Sequence, residues 1–247
     1  MKEALSKTSN ASALELDGIS YRFIKAIMKT ELGEELMDEV TENIQYGRIL
    51  KQWQYSKVVM IPKPSKDYKT TKGWRPINLI NCIGKLGEKV VAERLQEAGL
   101  FHRHQFGSVK GRSAVEAALQ VITRAQKYMG SRGAVGWAFW DLKGGFQNAM
   151  EEDVLRQLEK SEEGQKLIPY VKNFFRAREF DIEWDGKTRG RGKTNIMVPQ
   201  GSPLSPVIFL IWMAAILEEM EQEVKEYTVA EVELPSYVDD IHAGLCI

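Results

Sequence analysis

The sequence predicts an α+β fold, because helical and strand-like patterns alternate along its 247 residues. Apolar residues recur with a helical period in residues 83–100 and 113–129. Residues 57–62 are a run of β-formers closed by proline, and an Asp-Gly pair within residues 181–188 indicates a hairpin turn. With 43% apolar and 9% aromatic residues, the chain can bury a sizeable core, as one large domain or two closely packed subdomains.

The first half of the chain is predicted to be helical around one two-stranded unit. Residues 18–28 and 32–48 alternate apolar and polar positions with a helical period, which indicates two amphipathic helices. The strand at 57–62 is followed by a polar, lysine-rich loop at residues 65–73 and then by Trp74. This order predicts a strand, a loop and a second strand, followed by the two long helices.

The second half is predicted to alternate strands and helices. An apolar strand ends on Asp141 and turns at a glycine pair, and residues 151–158 and 167–177 then have helical patterns. After the Asp-Gly hairpin, residues 206–224 form another predicted helix, which begins with proline in its first turn. A strand-like run at 236–242 closes the series.

An acidic pair, Asp239 and Asp240, interrupts that last strand-like run. Aspartate is a poor strand residue, and two adjacent carboxylates repel each other unless they lie at a turn or bind a cation. Asp141 supplies a third carboxylate at a strand end, and Mg²⁺ prefers such oxygen ligands. The alternatives are an exposed acidic turn for the pair and a capping role for Asp141.

The formal net charge is zero, but the charges are segregated along the sequence. Residues 48–75 contain many lysines and arginines and one acid, whereas glutamates crowd residues 218–233. A basic region is the expected footprint for nucleic-acid phosphates, and its alternative is a solvated loop.

The cysteine content and hydropathy indicate the cellular setting. Two cysteines, Cys82 and Cys246, are too few and too far apart for a metal knuckle, so we expect a reducing, intracellular compartment. The longest apolar stretch, residues 207–217, is too short to span a bilayer, and we find no secretory signal.

Three segments, in this order, resemble the central palm motifs of reverse transcriptases. They are Asp141 with Phe146 five positions later, Val198–Pro206, and Tyr237–Asp240. Four upstream segments extend the resemblance, which covers most of the chain: Asp17–Ser20, Trp74–Ile80, His104–Gly107 and Gly111–Ser113. Within that family, the sequence is most similar to the non-LTR retrotransposon group.

The resemblance implies the fingers and palm of a right-hand polymerase, with a palm made of an antiparallel sheet packed on helices. Residues 1–135 would form an N-terminal extension and fingers with part of the palm, and residues 136–247 the palm that carries the catalytic motifs. Polymerases of this type continue into a thumb, whereas this sequence ends just beyond Asp240, so we expect the thumb to be absent.

The resemblance also implies roles for the acidic residues and one aromatic residue. Asp141, Asp239 and Asp240 would be catalytic and would bind two Mg²⁺ ions, for which Mn²⁺ could substitute. In such enzymes the first acid of the pair usually binds metal directly and the second only assists. Phe146 would lie beneath the sugar and exclude a 2′-hydroxyl, or else be an ordinary core residue.

Further residues would bind the nucleotide and the nucleic acid. Gln200 and Gly201 would line the nucleotide pocket, or form a helix-entry loop. Lys63 and Arg75 would clamp the triphosphate, because guanidinium pairs bidentately with phosphate and ammonium acts as a point charge, although another lysine of the loop could replace Lys63. Two more residues, Lys110 and Arg112, would contact nucleic acid; for Arg112 the alternative is a bridge to a carboxylate.

The expected function is RNA-directed DNA synthesis, in which deoxynucleotides are added to a DNA primer on an RNA template. We expect no membrane as a partner. Two departures from the family pattern, Gly145 in place of alanine and Gln147 in place of an acid, leave the predicted metal ligands intact. One alternative is a truncated, inactive remnant that binds nucleic acid or a protein. The other, an RNA-directed RNA polymerase, is disfavoured by Phe146 and the Pro199–Gly201 motif.

Overall fold

A computed structural model of the protein describes residues 1–10, 17–130, 135–142, 145–176, 178–194, 198–227 and 231–246. The helices are α1 (Lys2–Ser6), α2 (Tyr21–Ile27), α3 (Glu31–Gln45), α4 (Lys51–Gln54), α5 (Cys82–Glu97), α6 (Ala114–Gly130), α7 (Gly145–Asn148), α8 (Glu151–Leu158), α9 (Glu162–Phe175) and α10 (Ser205–Tyr227). The strands are β1 (Tyr55–Pro62), β2 (Trp74–Ile80), β3 (Val135–Asp141), β4 (Arg178–Trp184), β5 (Lys187–Thr194), β6 (Glu231–Glu233), β7 (Ser236–Tyr237) and β8 (Asp240–Cys246). The mixture of helices and sheets confirms the predicted α+β class.

The first sheet has the strand order β2-β1-β4-β5. β1 and β2 are antiparallel and joined by the lysine-rich loop, as predicted, and β4 then pairs with β1 in parallel. The predicted Asp-Gly hairpin joins β4 to β5. Asp185 and Gly186 have φ angles of +54° and +66°, the left-handed values that a tight two-residue turn requires.

The second sheet has the order β3-β8-β6, and β7 pairs with β8 through a short hairpin. In the antiparallel register of β3 and β8, Asp141 lies opposite Asp240, and Phe139 lies opposite His242. One end of this sheet therefore collects the acidic motifs that are a hundred residues apart in the sequence.

The core is built around the first half of α10, which is apolar on nearly every side up to Leu217. Ile208, Phe209, Met213 and Leu217 have no exposed surface, and α10 packs against α8. A helical segment that is apolar all round is stable only when it is covered, and α10 contacts α5, α7 and β6 of the second sheet in addition to α8. None of the helices in the described ranges has the length and apolar character needed to cross a membrane.

Side-chain caps define the helix starts. Ser20, Thr30 and Asn81 accept hydrogen bonds from the first backbone amides of α2, α3 and α5. Helix α9 begins earlier than its predicted start at residue 167, because Ser161 accepts a hydrogen bond from the Gly164 amide. The glycine interrupts the apolar period in that turn, so periodicity alone missed it.

The predicted division at residue 135 stays a prediction. β4 and β5, which come after residue 135, extend the sheet formed by β1 and β2, so the first sheet is built from both sides of the proposed boundary.

Candidate active site

The acidic pair lies where the tight turn between β7 and β8 ends, with Asp239 in the turn and Asp240 as the first residue of β8. Tyr237 pairs with Asp240 across the hairpin, which leaves Val238 and Asp239 as the loop residues. Val238 has a φ of +60°, a conformation that a β-branched residue rarely adopts. Asp239 is half-buried and Asp240 is exposed, so the two acids occupy different environments.

The three predicted metal-binding aspartates meet at the end of the second sheet. The backbone of Asp141 lies opposite that of Asp240, and the amide of Leu142 donates to the carbonyl of Asp239 at 3.3 Å. The side chain of Asp141 lies outside the described part of the structure, and among the described side chains no three metal-binding groups cluster. The backbone proximity and the hard oxygen chemistry of carboxylates fit Mg²⁺.

A cleft of about 600 Å³ opens between the two sheets beside this turn. It is lined by both predicted catalytic and predicted nucleotide-binding residues. The lining residues are Met60, Lys63, Thr71, Lys72, Trp74, Arg75, Pro76, Gly145, Phe146, Gln200 and Asp239. The fold thus places four of the five predicted nucleotide-binding residues around Asp239. Gly201 and Asp240 do not line the cleft.

Lysine and arginine dominate the charge of this cleft. Lys63, Lys72 and Arg75 face it together with Asp239, so three cations and one anion stand among its described lining residues. The backbone amide of Lys63 donates to the Gly73 carbonyl at 2.8 Å, which closes the loop between β1 and β2. Lys72 was not singled out from the sequence, although the lysine-rich loop that contains it was.

Not every residue of the predicted basic region is available for phosphate. Lys57 forms an ion pair with Glu183 of β4. The lysines of the loop between β1 and β2 are mostly exposed, which agrees both with a phosphate footprint and with a solvated loop.

Phe146 stacks on a second aromatic ring inside the protein. Its ring and that of Phe209 are nearly parallel, at an interplanar angle of 11° and a centroid distance of 4.7 Å. A Cβ atom on Gly145 would lie 2.7 Å from the Phe209 ring. Phe209 therefore gives a physical reason for glycine at position 145, where the resembling family commonly has alanine.

The Gln200–Gly201 segment is attached to β2. The amide of Asn78 donates to the Gln200 carbonyl at 2.6 Å, and Gly201 has a φ of +120°. A Cβ on Gly201 would collide with the Asn78 carbonyl oxygen. Asn78, a neighbour within the protein itself, therefore requires glycine at position 201, and a place for Gly201 in the nucleotide pocket stays a prediction.

Lys110 and Arg112 lie away from the cleft lining. Nη1 of Arg112 donates to three backbone carbonyls, those of His102, Arg103 and Gln105, at 2.8, 3.1 and 2.6 Å. Lys110 is exposed and pairs with Glu97 at 3.3 Å. Arg112 thus organises the preceding loop, and contact of either residue with nucleic acid stays a prediction.

An aromatic cluster at the edge of the cleft was not predicted as part of the site. Trp74 contacts Trp184 of the β4–β5 hairpin at a ring distance of 4.3 Å and Tyr68 at 5.5 Å. Tyr68 and Trp184 are 51% and 41% exposed. Tyr68 within the lysine-rich loop and Trp74 directly after it were the available signal, but the contact of Trp74 with Trp184 depends on the pairing of β1 with β4.

Comparison with known proteins agrees with this arrangement. The family described as reverse transcriptase (RNA-dependent DNA polymerase) matches residues 61–245. The chain is 26% identical over 173 residues to a probable RNA-directed DNA polymerase from transposon BS of Drosophila melanogaster, covering 66% of this chain and 18% of that protein. It is 24% identical over 250 residues to the RNA-directed DNA polymerase from mobile element jockey of the same species, covering 93% and 27%.

Solved structures share the fold. Apo telomerase from Candida tropicalis superimposes with a TM-score of 0.55 at 14% identity, over 87% of this chain and 43% of that chain. Telomerase from Candida albicans, in complex with a fragment of telomeric RNA, has a TM-score of 0.54 at 14% identity, over 87% and 42%. This likeness confirms the predicted right-hand polymerase fold.

The chain spans 18% of the length of the transposon BS protein and 27% of the length of the jockey protein. The family match nevertheless covers well over half of this chain. It runs from the last residues of β1 to β8, and so includes parts of both sheets beside the cleft. Because the family match spans residues 61–245, well over half of its length, this chain belongs to the reverse transcriptase family.

Proposed function

We propose that this chain is an RNA-directed DNA polymerase module of a non-LTR retroelement. It would add deoxynucleotides to the 3′-hydroxyl of a DNA primer paired with an RNA template. The observation that carries the proposal is the composition of the cleft, where one carboxylate, Asp239, faces three cations beside Phe146 and Gln200.

The cations suit the triphosphate of an incoming nucleotide. Arg75 can pair bidentately with phosphate oxygens, while Lys63 and Lys72 supply point charges. The charges are held by a β-strand and a loop closed by a backbone hydrogen bond, so little reorganisation is needed when negative charge develops on the leaving pyrophosphate.

Phe146 and Gln200 would hold the sugar and base. The parallel ring of Phe209 packs against one face of the Phe146 ring, so a sugar placed against the other face would not displace Phe146. A 2′-hydroxyl would then meet the ring, which favours deoxynucleotides by exclusion. Gln200, which lines the cleft, is fixed through its backbone carbonyl to Asn78 of β2.

Asp141, Asp239 and Asp240 are the residues that would hold Mg²⁺, or Mn²⁺ in its place. When bound, the divalent ions would activate the primer hydroxyl and neutralise charge on the phosphates. Asp239 lines the cleft and Asp240 is exposed, which supports a direct role for the first acid and an assisting role for the second. The primer oxygen forms a bond to the α-phosphorus as the bond to pyrophosphate breaks.

Primer extension on an RNA template tests the proposal. The chain is mixed with a labelled DNA primer, Mg²⁺ and either deoxynucleotides or ribonucleotides. Extension with deoxynucleotides that is lost when Mg²⁺ is chelated is the expected result. Extension with ribonucleotides alone would indicate an RNA polymerase, and salt-dependent binding of primer-template without any extension would indicate an inactive remnant; either result contradicts the proposal.

A further inference from the structure

The segment from His102 to Gly107, here called the support loop, runs alongside β7. The amide of Phe106 donates to the Ser236 carbonyl at 2.9 Å, and the amide of Ser236 donates to the His104 carbonyl at 2.8 Å. The support loop therefore adds backbone pairing to β7, the strand that leads into the acidic turn.

Buried side chains anchor the support loop to the rest of the protein. Gln105 is 1% exposed; its Nε2 donates to the Leu210 carbonyl of α10 at 2.8 Å, and its Oε1 accepts from the His102 amide at 2.7 Å. Nδ1 of His104 accepts from the amide of Leu234 at 2.8 Å. Arg112 holds three carbonyls of the same segment. The loop is thus fixed to the core helix and to the chain that precedes β7.

The last residue of the support loop touches the acidic turn. A Cβ on Gly107 would lie 2.6 Å from the Val238 amide nitrogen and 2.7 Å from Val238 Cγ2. Gly107 does not have a positive φ, so glycine is required for this contact rather than for backbone conformation. Val238 is held in its rare left-handed conformation where Gly107 presses against it.

We propose that the support loop positions the acidic turn, with Gly107 and Gln105 as positioning residues for Asp239. This inference rests on the proposed function, because it assigns to the loop the placement of a carboxylate used in catalysis. Neither residue lines the cleft. The strained turn keeps its shape because a rigid, buried loop lies directly beneath it, and small displacements there would misplace Asp239.

The test compares Gly107→Ala with Gly130→Ala. A Cβ at Gly130 meets nothing within 4 Å, so this variant is the matched control. We expect Gly107→Ala to lower kcat for primer extension on the order of 10- to 100-fold, because small misplacements in an active site have effects of this size. The KM for primer-template should stay unchanged, and Gly130→Ala should behave as the parent protein.

Rescue separates positioning from general damage. Adding Val238→Gly removes Cγ2 and makes the turn backbone permissive, so the double variant should recover part of the lost kcat. A second variant, Gln105→Met, keeps the side-chain shape but removes both hydrogen bonds. It should also lower kcat, and it should change kcat more than it changes the KM for primer-template. If Gly107→Ala does not fold, the Gln105 variant still tests whether the support loop positions Asp239.

Hydrogen exchange of residues 236–242 gives a readout independent of activity. We expect faster exchange there in Gly107→Ala and in Gln105→Met than in Gly130→Ala. If no variant or parent protein extends a primer, the proposed function fails, and the exchange rates still decide whether the loop holds the turn. Unchanged kcat and unchanged exchange in both loop variants would overturn the inference.

Discussion

Phe146, the residue that we propose discriminates between sugars, is held in place by a neighbouring ring. Its ring is stacked on Phe209, which is fully buried in α10, and Gly145 leaves the space that the second ring occupies. The orientation of Phe146 is therefore set by the core, and the chain's departure from alanine at position 145 has its explanation in that packing.

Replacing Phe146 by alanine should relax sugar selectivity. Without the ring, a 2′-hydroxyl meets no obstacle, so the preference for a deoxynucleotide over the matching ribonucleotide should fall by about tenfold or more. The measurement is the ratio of kcat/KM for the two nucleotides. Phe23→Ala, at a 51% exposed position in α2, is the control and should leave the ratio unchanged. An equally selective Phe146 variant would show that the ring is only a core residue.

A coupled pair of substitutions tests the packing of Gly145 itself. Gly145→Ala alone should destabilise the protein by about 1–3 kcal/mol, since a methyl group is forced against the Phe209 ring. Phe209→Leu, which removes the atoms in its path, should lower that cost in the double variant. Urea unfolding of the four proteins measures the coupling. Strictly additive free energies would rule out the proposed contact.

At the scale of elements, a buried ion pair links α5 to β4. Nη2 of Arg178 lies 3.0 Å from Oε1 of Glu88, and the side chains are 5% and 3% exposed. Nε of Arg178 also donates to the Phe174 carbonyl at the end of α9. The pair thus attaches the β4–β5 hairpin to the helices, and through them to the core.

Breaking this pair should be costly. Glu88→Leu leaves the Arg178 charge buried without its partner, and the free energy of unfolding should fall by about 3–5 kcal/mol. Replacing both residues, with Arg178→Met added, should recover much of the loss because no charge is then buried. Denaturant unfolding checks both values. A single variant as stable as the parent protein would contradict the assigned role.

The support loop should give stability a pH dependence. Burial lowers the pKa of His104 to about 4 from its usual 6.5, and the charged or titratable groups that act on it are His102, Arg103, Glu221 and Arg124. Between these pH values the unfolded chain binds a proton that folded His104 does not, so stability should fall as pH drops from 6.5 to 4.

His104→Gln should flatten this fall, as measured by urea unfolding at successive pH values. His102 also has a lowered pKa because of burial, so His102→Gln measures how much of the pH dependence of stability comes from this second histidine. An unchanged slope in the His104 variant would show that His104 does not titrate differently in the folded and unfolded states.

At the scale of the whole molecule, the two sheets contribute different groups to the cleft. The first sheet supplies the cations and the aromatic cluster of Tyr68, Trp74 and Trp184, and the second supplies the aspartates. Bases of a single strand can stack on exposed aromatic rings while lysines neutralise phosphates. We therefore propose that the aromatic cluster and the exposed lysines beside it contact an unpaired nucleic-acid strand.

Trp184→Ala should weaken binding of single-stranded RNA. The loss of one stacking surface is expected to cost about 1–3 kcal/mol of binding free energy, and the salt dependence should persist because the lysines remain. Fluorescence anisotropy at several salt concentrations measures both quantities. Tyr46→Ala, at a 57% exposed position next to α3, is the control. Equal affinities for the two variants would exclude Trp184 from the binding surface.

Much of this organisation could be predicted from the sequence, because helical periods, β-runs and turn residues are local signals. The resemblance to reverse-transcriptase motifs also implied that Asp141, Phe146, Gln200 and Asp239 belong to one site. Contacts between distant segments were not accessible in this way. The reason for glycine at 201 is Asn78, and the fit of Gly107 against Val238 depends on how the support loop meets β7. These two contacts form only in the folded chain, so no local sequence pattern indicates them.

The most direct test of the central claim is single-nucleotide primer extension on RNA by the parent protein, Asp239→Asn and Asp38→Asn. Asp38 is exposed on α3, so its variant controls for the loss of one carboxylate. We predict that Asp239→Asn lowers the rate by at least about a hundredfold while primer-template affinity is retained, and that Asp38→Asn extends normally. Undiminished extension by Asp239→Asn would contradict the assignment of this cleft as the active site.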